Sequence, residues 1–316
     1  MYSLSIRPAT PSDKDEVLGI HCNVYDGRDY LEAYYDDFIT CPLSTPYVAI
    51  LDNKIVGFIA TLVIDDGETV ITRAARINPS MSGRGLYKTL KAYALKSSNV
   101  KRHAFTKVDA NPETSRESFI SKNQLITSRP FVRFVFDARD LRSLESETEE
   151  IIVPTNEELT AFLSNDVIRS YLCRKDRIVV DWVPYRPIPA NVPLFRWAPN
   201  RMKIFSDVSL SKEQTVKGLL TICTTFATKD PPFASNLDIF GTDVSSLRSH
   251  VVYHLRHIRK ETEGAVSLLV LAEDDFDMGE LDKVFQSVGL KRNDWFDSSY
   301  PERKYSIQYL YENHLV

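Results

Sequence analysis

The spacing of apolar positions changes period several times along this chain, and each change marks an element. Leu4–Arg7 is a short strand, ended by Pro8, Pro11 and Ser12. Ser12-Asp-Lys-Asp-Glu16 then opens a helix with acidic residues in its first turn, and Val17, Ile20, His21 and Val24 share one face. Asp26-Gly27 breaks that pattern, and Tyr30–Ile39 resumes it as a second helix. Tyr47–Leu51 and Lys54–Ile64 are two strands joined by Asp52-Asn53, a hairpin signal. After the turn Asp65-Asp66-Gly67 come a strand over Glu68–Ile77, a glycine-bearing loop, and a helix through about Lys96. Arg102–Val108 is a strand, Thr114–Asn123 a helix and Phe131–Asp137 a strand. The order β-α-α-β-β-β-α-β-α-β predicts an α/β (α+β) fold: a mixed central sheet flanked by helices, with a crossover helix and a parallel return.

The stretch Leu-Arg-Ser-Leu-Glu-Ser-Glu-Thr-Glu-Glu150 turns polar and acidic, which predicts a junction between domains 1–140 and 150–316. In the second half, Pro184–Pro199 is expected to be a long ordered loop. Thr221–Thr228, Ser267–Ala272 and Lys304–Tyr311 are strands, and Val244–Lys260 and Glu280–Val288 are helices. This half again closes as strand, helix, strand, the expected trace of two distant copies of one fold.

The loop Ser82-Gly83-Arg84-Gly85-Leu86-Tyr87 sits between a strand and a helix. Glycines there allow positive φ and close approach of a ligand, and the first-turn N–H groups of the helix would face an anion with Arg84 beside them. A plain tight turn needs the same glycines. Neither G-x-G-x-x-G nor G-x-x-x-x-G-K-[ST] is present.

Composition narrows the setting. Of the 316 residues 43% are hydrophobic and 26% charged, with a net charge of −4, which argues against a general nucleic-acid or anionic-membrane binder. No run approaches the ~20 apolar residues of a membrane span, and Met1–Thr10 has no apolar signal core, so a cytoplasmic enzyme or binding protein is expected. Cys22, Cys41, Cys173 and Cys223 form no C-x-x-C pair, and reduced thiols are expected. His250, His254 and His257 fall at i, i+4 and i+7 without H-E-x-x-H and among Arg256, Arg259 and Lys260, so they read as a basic solvated face with no metal.

The strand–(x-P-x-x-x-G-x-G)–helix unit after the β-α-α-β-β-β start resembles the GCN5-related N-acetyltransferase (GNAT) fold, whose loop reads [R/Q]-x-x-G-x-[G/A]. Here Ser82 stands where Arg or Gln is usual and Tyr87 where a small residue is usual; Arg84 and Gly85 remain. A wider resemblance to the vertebrate histidine N-acetyltransferase family rests on Tyr25-Asp-Gly-Arg-Asp-Tyr-Leu31, Asp66-Gly-Glu-Thr-Val70 and Asp181-Trp182 with the proline-rich stretch after it.

The resemblance implies a first domain that uses acetyl-CoA and a divergent second GNAT-like domain with no CoA loop. It implies acetyl transfer to the α-amino group of a free amino acid, L-histidine or a related small amine, by direct attack on the thioester. Ser82–Tyr87 would hold the pyrophosphate. The backbone around Ala75, Arg76 and Ile77 and the side chain of Asn111 would hold the pantetheine arm. Glu68, at the turn entering that strand, is the candidate base. Asp29, Tyr30, Tyr34, Arg73 and Trp182 are candidates for the acceptor pocket, with Arg133 a second candidate for its carboxylate. The family's acidic tyrosine falls at Ile120, so Tyr87, Ser118 or solvent would supply the proton. A monomer with a small-molecule partner is expected. Two other classes stay open: an inactive CoA- or ligand-binding module, and an acyltransferase for a protein amine.

Overall fold

A computed structural model of the chain describes residues 4–21, 24–108, 117–144, 151–197, 200–293 and 304–315. Internal contacts divide it into two compact units. Unit 1 is Met1–Phe105, Ala227–Asp230 and Glu312–Val316; unit 2 is Thr106–Phe226 and Pro231–Tyr311.

In unit 1, β1 (Leu4–Pro8), α1 (Lys14–Leu18) and α2 (Leu31–Thr40) precede β2 (Ser44–Leu51), β3 (Lys54–Ile64), β4 (Thr69–Ile77), α3 (Leu86–Ser98) and β5 (Arg102–Val108). β1, β2, β3 and β4 pair antiparallel in sequence order, and β5 returns parallel to β4. Asp52 and Asn53 both take positive φ (50° and 62°), the geometry a two-residue hairpin turn demands. One face of the sheet is covered by α3, whose Leu86, Leu90 and Ala94 recur every four residues and pack on Tyr47, Val56 and Ile59. α2 buries Leu31, Tyr34, Tyr35 and Phe38, with the Tyr35 ring 5.8 Å from Phe58 of β3. The first helix is shorter than its apolar spacing predicts. It ends at Leu18 with Gly19 as its cap, so Ile20 is buried from a turn and Val24 lies outside any helix.

Unit 2 holds α4 (Glu117–Ile120), β6 (Gln124–Asp137), α5 (Asn156–Ser164), α6 (Asp166–Leu172), β7 (Ile178–Val180), β8 (Val183–Tyr185), β9 (Met202–Ser206), β10 (Ser209–Leu210), β11 (Val216–Lys217) and β12 (Leu220–Ala227). There follow β13 (Phe233–Phe240), α7 (Leu247–Glu261), β14 (Ala265–Ala272), α8 (Met278–Ser287) and β15 (Ser306–His314). Its sheet runs β15-β6-β14-β13-β12-β9. The predicted junction at 140–150 falls inside this unit. The reason is β6, which pairs antiparallel with β14 along Phe131–Asp137 and so groups with the C-terminal half. The core is built by α7 and α8 against β13 and β14, through Leu247, Val251, Leu255, Leu281 and Phe285. Within the proline-rich stretch, β8 leads to a 3₁₀ segment at Pro189–Arg196; residues 198–199 lie outside the described residues.

The histidine-rich helix face is not solvated. His250 and His254 are fully buried, and both rings bond Thr221 Oγ1, at 2.7 and 2.8 Å. Asp207 Oδ1 lies 3.0 Å from His250 Nε2. The partners come from β12 and the β9–β10 link, far away in sequence. Among the described residues no group of three or more His, Cys, Asp or Glu could hold a metal.

Candidate functional site

The site begins with one extra residue. β3 and β4 pair at Ala60↔Arg73 and next at Phe58↔Arg76, so β4 carries three residues' advance against two. Ala74 absorbs the excess at φ 51°, left-handed backbone that an alanine adopts only under constraint. The bulge resets the side-chain alternation. Arg73 and Arg76, three apart in sequence, now face the same way as Ala60 and Phe58, which are two apart. That is the face α2 covers. Ala75 and Ile77 face the other way and pack on the α3 cluster.

Both arginines are buried there. Arg76 pairs with Asp29 (Nη2–Oδ1 2.5 Å) and also donates to the Ala75 carbonyl at 2.8 Å. Arg73 lies over the rings of Tyr30, Tyr34 and Phe38, with centroids 5.2, 5.4 and 5.9 Å away. The Tyr30 ring stacks beside Tyr25 and meets Tyr34 edge-on, and its hydroxyl oxygen accepts the Ala74 N–H at 2.9 Å. An aromatic and cationic cluster is thus pinned to the backbone at the bulge.

The same strand leaves its other neighbour. β4 pairs with β5 only at Thr69↔Arg102, Val70↔His103 and Ile71↔Ala104. The register of β4 with β5 stops there, while β4 itself runs six residues further, to Ile77. At the point of parting, His103 Nε2 sits 3.2 Å from Thr72 Oγ1. Burial pushes the His103 ring down to about 3, helped by the nearby Lys91 charge, so it stays neutral and acts as a pin rather than a base.

Past Ile77 the chain turns at Pro79–Met81, capped by the Asn78 side chain, and reaches Gly83 and Gly85 at φ 75° and 76°. A Cβ at either glycine would meet nothing within 4 Å. Gly85 is the N-cap of α3 and has no side chain to bond the first-turn N–H groups of this 13-residue helix. Ser82, Arg84 and Tyr87 are exposed around it. Open space, exposed amides, the positive helix end and one cation make an anion cradle at the end of the parted strand.

Comparison with known proteins bears on this geometry. The family model described as "Histidine N-acetyltransferase, C-terminal" matches residues 147–273. A histidine N-acetyltransferase of Oreochromis niloticus is 25% identical across 83% of this chain and 82% of its own. The one from Xenopus tropicalis is 25% identical across 80% of each. A tandem GNAT protein from the clavulanic acid biosynthesis pathway superposes with a TM-score of 0.53 at 11% identity, covering 99% of this chain and 98% of that one, and so shares the fold. The chain shares the GCN5-related N-acetyltransferase fold and is similar to histidine N-acetyltransferases along most of its length.

In this N-acetyltransferase the expected site residues separate into groups. Ala75, Arg76 and Ile77 lie on the part of β4 beyond its pairing with β5, and Ser82, Gly83, Arg84, Gly85 and Tyr87 follow at the cradle, while Leu86 is buried against the sheet. Tyr30, Tyr34 and Arg73 gather at the bulge, with Tyr34 fully buried as packing. Asp29 holds Arg76 and accepts the Leu31 N–H, so it serves the start of α2 instead of standing ready for an imidazole. Glu68 lies at the far end of β4, paired with Arg102, about 30 Å of strand from the cradle. Arg102 already holds the Glu68 carboxylate. Trp182 and Arg133 belong to unit 2: Trp182 sits in the β7–β8 turn edge-on to Phe131, and Arg133 Nε donates to Ser267 Oγ at 2.9 Å. Ile120 is 62% exposed on α4. Asn111 lies outside the described residues, as does the Ser118 side chain. Sequence reasoning missed the bulge and His103. The one trace of the bulge was Arg73-Ala-Ala-Arg76, two arginines at a spacing that strict alternation would send to opposite faces.

Proposed function

We propose that the enzyme transfers acetyl from acetyl-CoA to the α-amino group of a free amino acid, with L-histidine the first acceptor to test. The observation that carries this reading is the parting of β4 from β5 after Ile71 in line with the open Gly83/Gly85 cradle. The cradle amides and Arg84 suit a pyrophosphate, and the backbone edge from Ala75 to Ile77 suits an extended amide-bearing arm. The names of its relatives support the acceptor class. Arg73, set among Tyr30, Tyr34 and Phe38, is the cation offered to an acceptor carboxylate, and the exposed face of Tyr25 is a surface for a flat side chain.

The reaction joins the amine nitrogen to the acetyl carbon and breaks the carbon–sulfur bond. The amine gives up its proton to water, and the sulfur leaves as thiol or thiolate. Placement and charge stabilisation account for such a step without a covalent enzyme intermediate.

The test is thiol release by the purified full chain with acetyl-CoA and each common amino acid. Turnover with histidine or a related small amino acid is expected. Stabilisation by acetyl-CoA with no turnover across the whole panel would instead mark a binding module, and turnover confined to peptide N-termini a protein acyltransferase.

A further inference from the structure

We infer that a cavity in unit 2, beyond the end of β14, is a second small-molecule site and takes a zwitterion of the free amino-acid class. Such binding needs no acetyl transfer by unit 1.

The cavity has a volume of about 540 Å³. That lies within the roughly 300–1,000 Å³ of small-molecule sites, but those are mostly apolar and this one is walled by charge. Its cationic side chains are Arg169, Arg174 and Lys175, and its anionic ones Asp176, Asp274 and Asp275. A wall balanced in sign suits a ligand that is itself balanced. Most of these charges already have partners. Arg169 pairs with Asp166 at 2.5 Å, and Arg174 with Asp275 at 3.0 Å. Asp176 lies 3.8 Å from both Arg177 and Arg186. Two remain: Lys175, on the turn between α6 and β7, and Asp274, on the turn after β14. Both are exposed, and among the described residues neither has an ion-pair or side-chain hydrogen-bond partner. One unanswered cation and one unanswered carboxylate on a shared wall match the carboxylate and the ammonium of a free amino acid. Among the described residues no group of three His, Cys, Asp or Glu could hold a metal, so the carboxylates have no such use.

Buried Glu273 makes the binding visible. It precedes Asp274 in the chain, and its charge reaches Cys173, which lines the cavity. Burial above all holds the Glu273 carboxyl up at about 7. Arg129 of β6, at 3.3 Å, works against that, while Asp274, Asp238 of β13 and Asp275 add to it. An ammonium seated at Asp274 cancels part of that carboxylate's field, so ligand binding near pH 7 releases a fraction of a proton from Glu273.

The test is calorimetric titration of the purified full chain, without acetyl-CoA, with each common L-amino acid at pH 7, in two buffers of different ionisation heat. At least one amino acid should bind to a site that Lys175→Ala and Asp274→Asn each weaken more than about tenfold. Both positions are exposed, and cooperative unfolding of each variant checks that the fold is kept. The amide of that amino acid lacks the carboxylate and its N-acetyl form lacks the ammonium, so neither should bind there. The difference between buffers should report proton release on the wild type and none on Glu273→Gln, with affinity kept within about threefold. Binding that survives both cavity substitutions belongs to another site and overturns the assignment. Equal binding of the amide would mark a plain cation site and overturns it too, as does a wild type that binds no amino acid. Proton release that persists in Glu273→Gln would sink the link to that group. Thiol release from acetyl-CoA is followed in parallel: its absence across the panel, with cavity binding intact, would sink the acetyltransferase reading and leave this site standing.

Discussion

Each unit contains a strand, a turn, a helix and a parallel return strand, and the two versions differ where it matters. In unit 1, β4 and β5 share three residue pairs and β4 carries the Ala74 bulge. In unit 2, β13 and β14 share seven, from Phe233↔Val266 to Ile239↔Ala272. The turn after β4 leaves open space around Gly83 and Gly85. The turn after β13 is plugged: the Tyr171 hydroxyl accepts the N–H groups of Thr242 and Asp243 at 3.0 and 3.1 Å and donates to the Gly218 carbonyl at 2.9 Å. A Cβ on Gly241, at φ 92°, would stand 2.8 Å from the Tyr171 ring. A strand–turn–helix order alone does not make an anion site. The site needs strands that part and a turn whose amides face outward.

This contrast breaks most sharply at the glycines. Gly85→Trp places a bulky ring at the cradle; its Cβ meets nothing within 4 Å, and the left-handed backbone costs about 1–2 kcal/mol. Loss of acetyl-CoA binding by more than 100-fold is expected, measured by titration calorimetry on a chain that still unfolds cooperatively. Full activity in that variant would move the cofactor elsewhere. Gly241→Ala should do the reverse. Overpacking against Tyr171 and the positive φ together cost about 2–4 kcal/mol of stability in urea, with turnover per folded molecule unchanged.

A smaller effect sharpens the role of the plug. Tyr171→Phe removes the shared partner of two amides and a carbonyl, costing about 1–3 kcal/mol. Acetyl-CoA stoichiometry should remain one per chain, because β13 and β14 stay paired. A second bound equivalent would show that the plug alone, and not strand pairing, closes that turn.

What was legible in the sequence follows the range of the interactions involved. The Asp52-Asn53 hairpin, the strand Arg102–Val108 and the cradle glycines are set by local backbone chemistry, and each stands where residue type placed it. β13 had no such signal. Its Ser235, Asn236 and Asp238 break any apolar run, yet all are buried because distant groups satisfy them: Asn236 donates to Asp181 at 3.0 Å and Asp238 binds Arg129 at 2.8 Å. His250 and His254 deceived for the same reason; β6 stands where Phe131–Asp137 was read as a strand, but its pairing with β14, more than a hundred residues on, left no local signal. Glu68 is legible only as the residue entering β4; its pairing with Arg102, across the parallel strand, shows only in the fold.

The closed strand pair carries a last, weaker consequence that the open one does not. At the end of β13 and just past β14, Asp238 and Glu273 both face the buried Arg129, at 2.8 and 3.3 Å. One guanidinium serves two carboxylates out of water. Burial pushes Glu273 up to about 7 and Asp238 up to about 6, with Arg129 pulling the other way. In the unfolded chain such groups titrate near pH 4. Between about pH 4 and 7 the native state therefore holds protons that the unfolded chain has released, and stability falls as pH rises through that window. The slope is at most about 1.4 kcal/mol per pH unit for each group. Glu273→Gln removes one of the two groups. Its unfolding free energy, followed in urea from pH 4 to 8, should fall less steeply than that of the wild type, so the gap between them widens toward alkaline pH. His254, held neutral by burial, removes stability as pH drops below the usual histidine range, but it does so in both proteins and cancels in the difference. A difference that stays flat with pH would mean that Arg129 keeps Glu273 ionised throughout, and that the sealed pair of strands tolerates a second buried charge which the parted pair never had to accommodate.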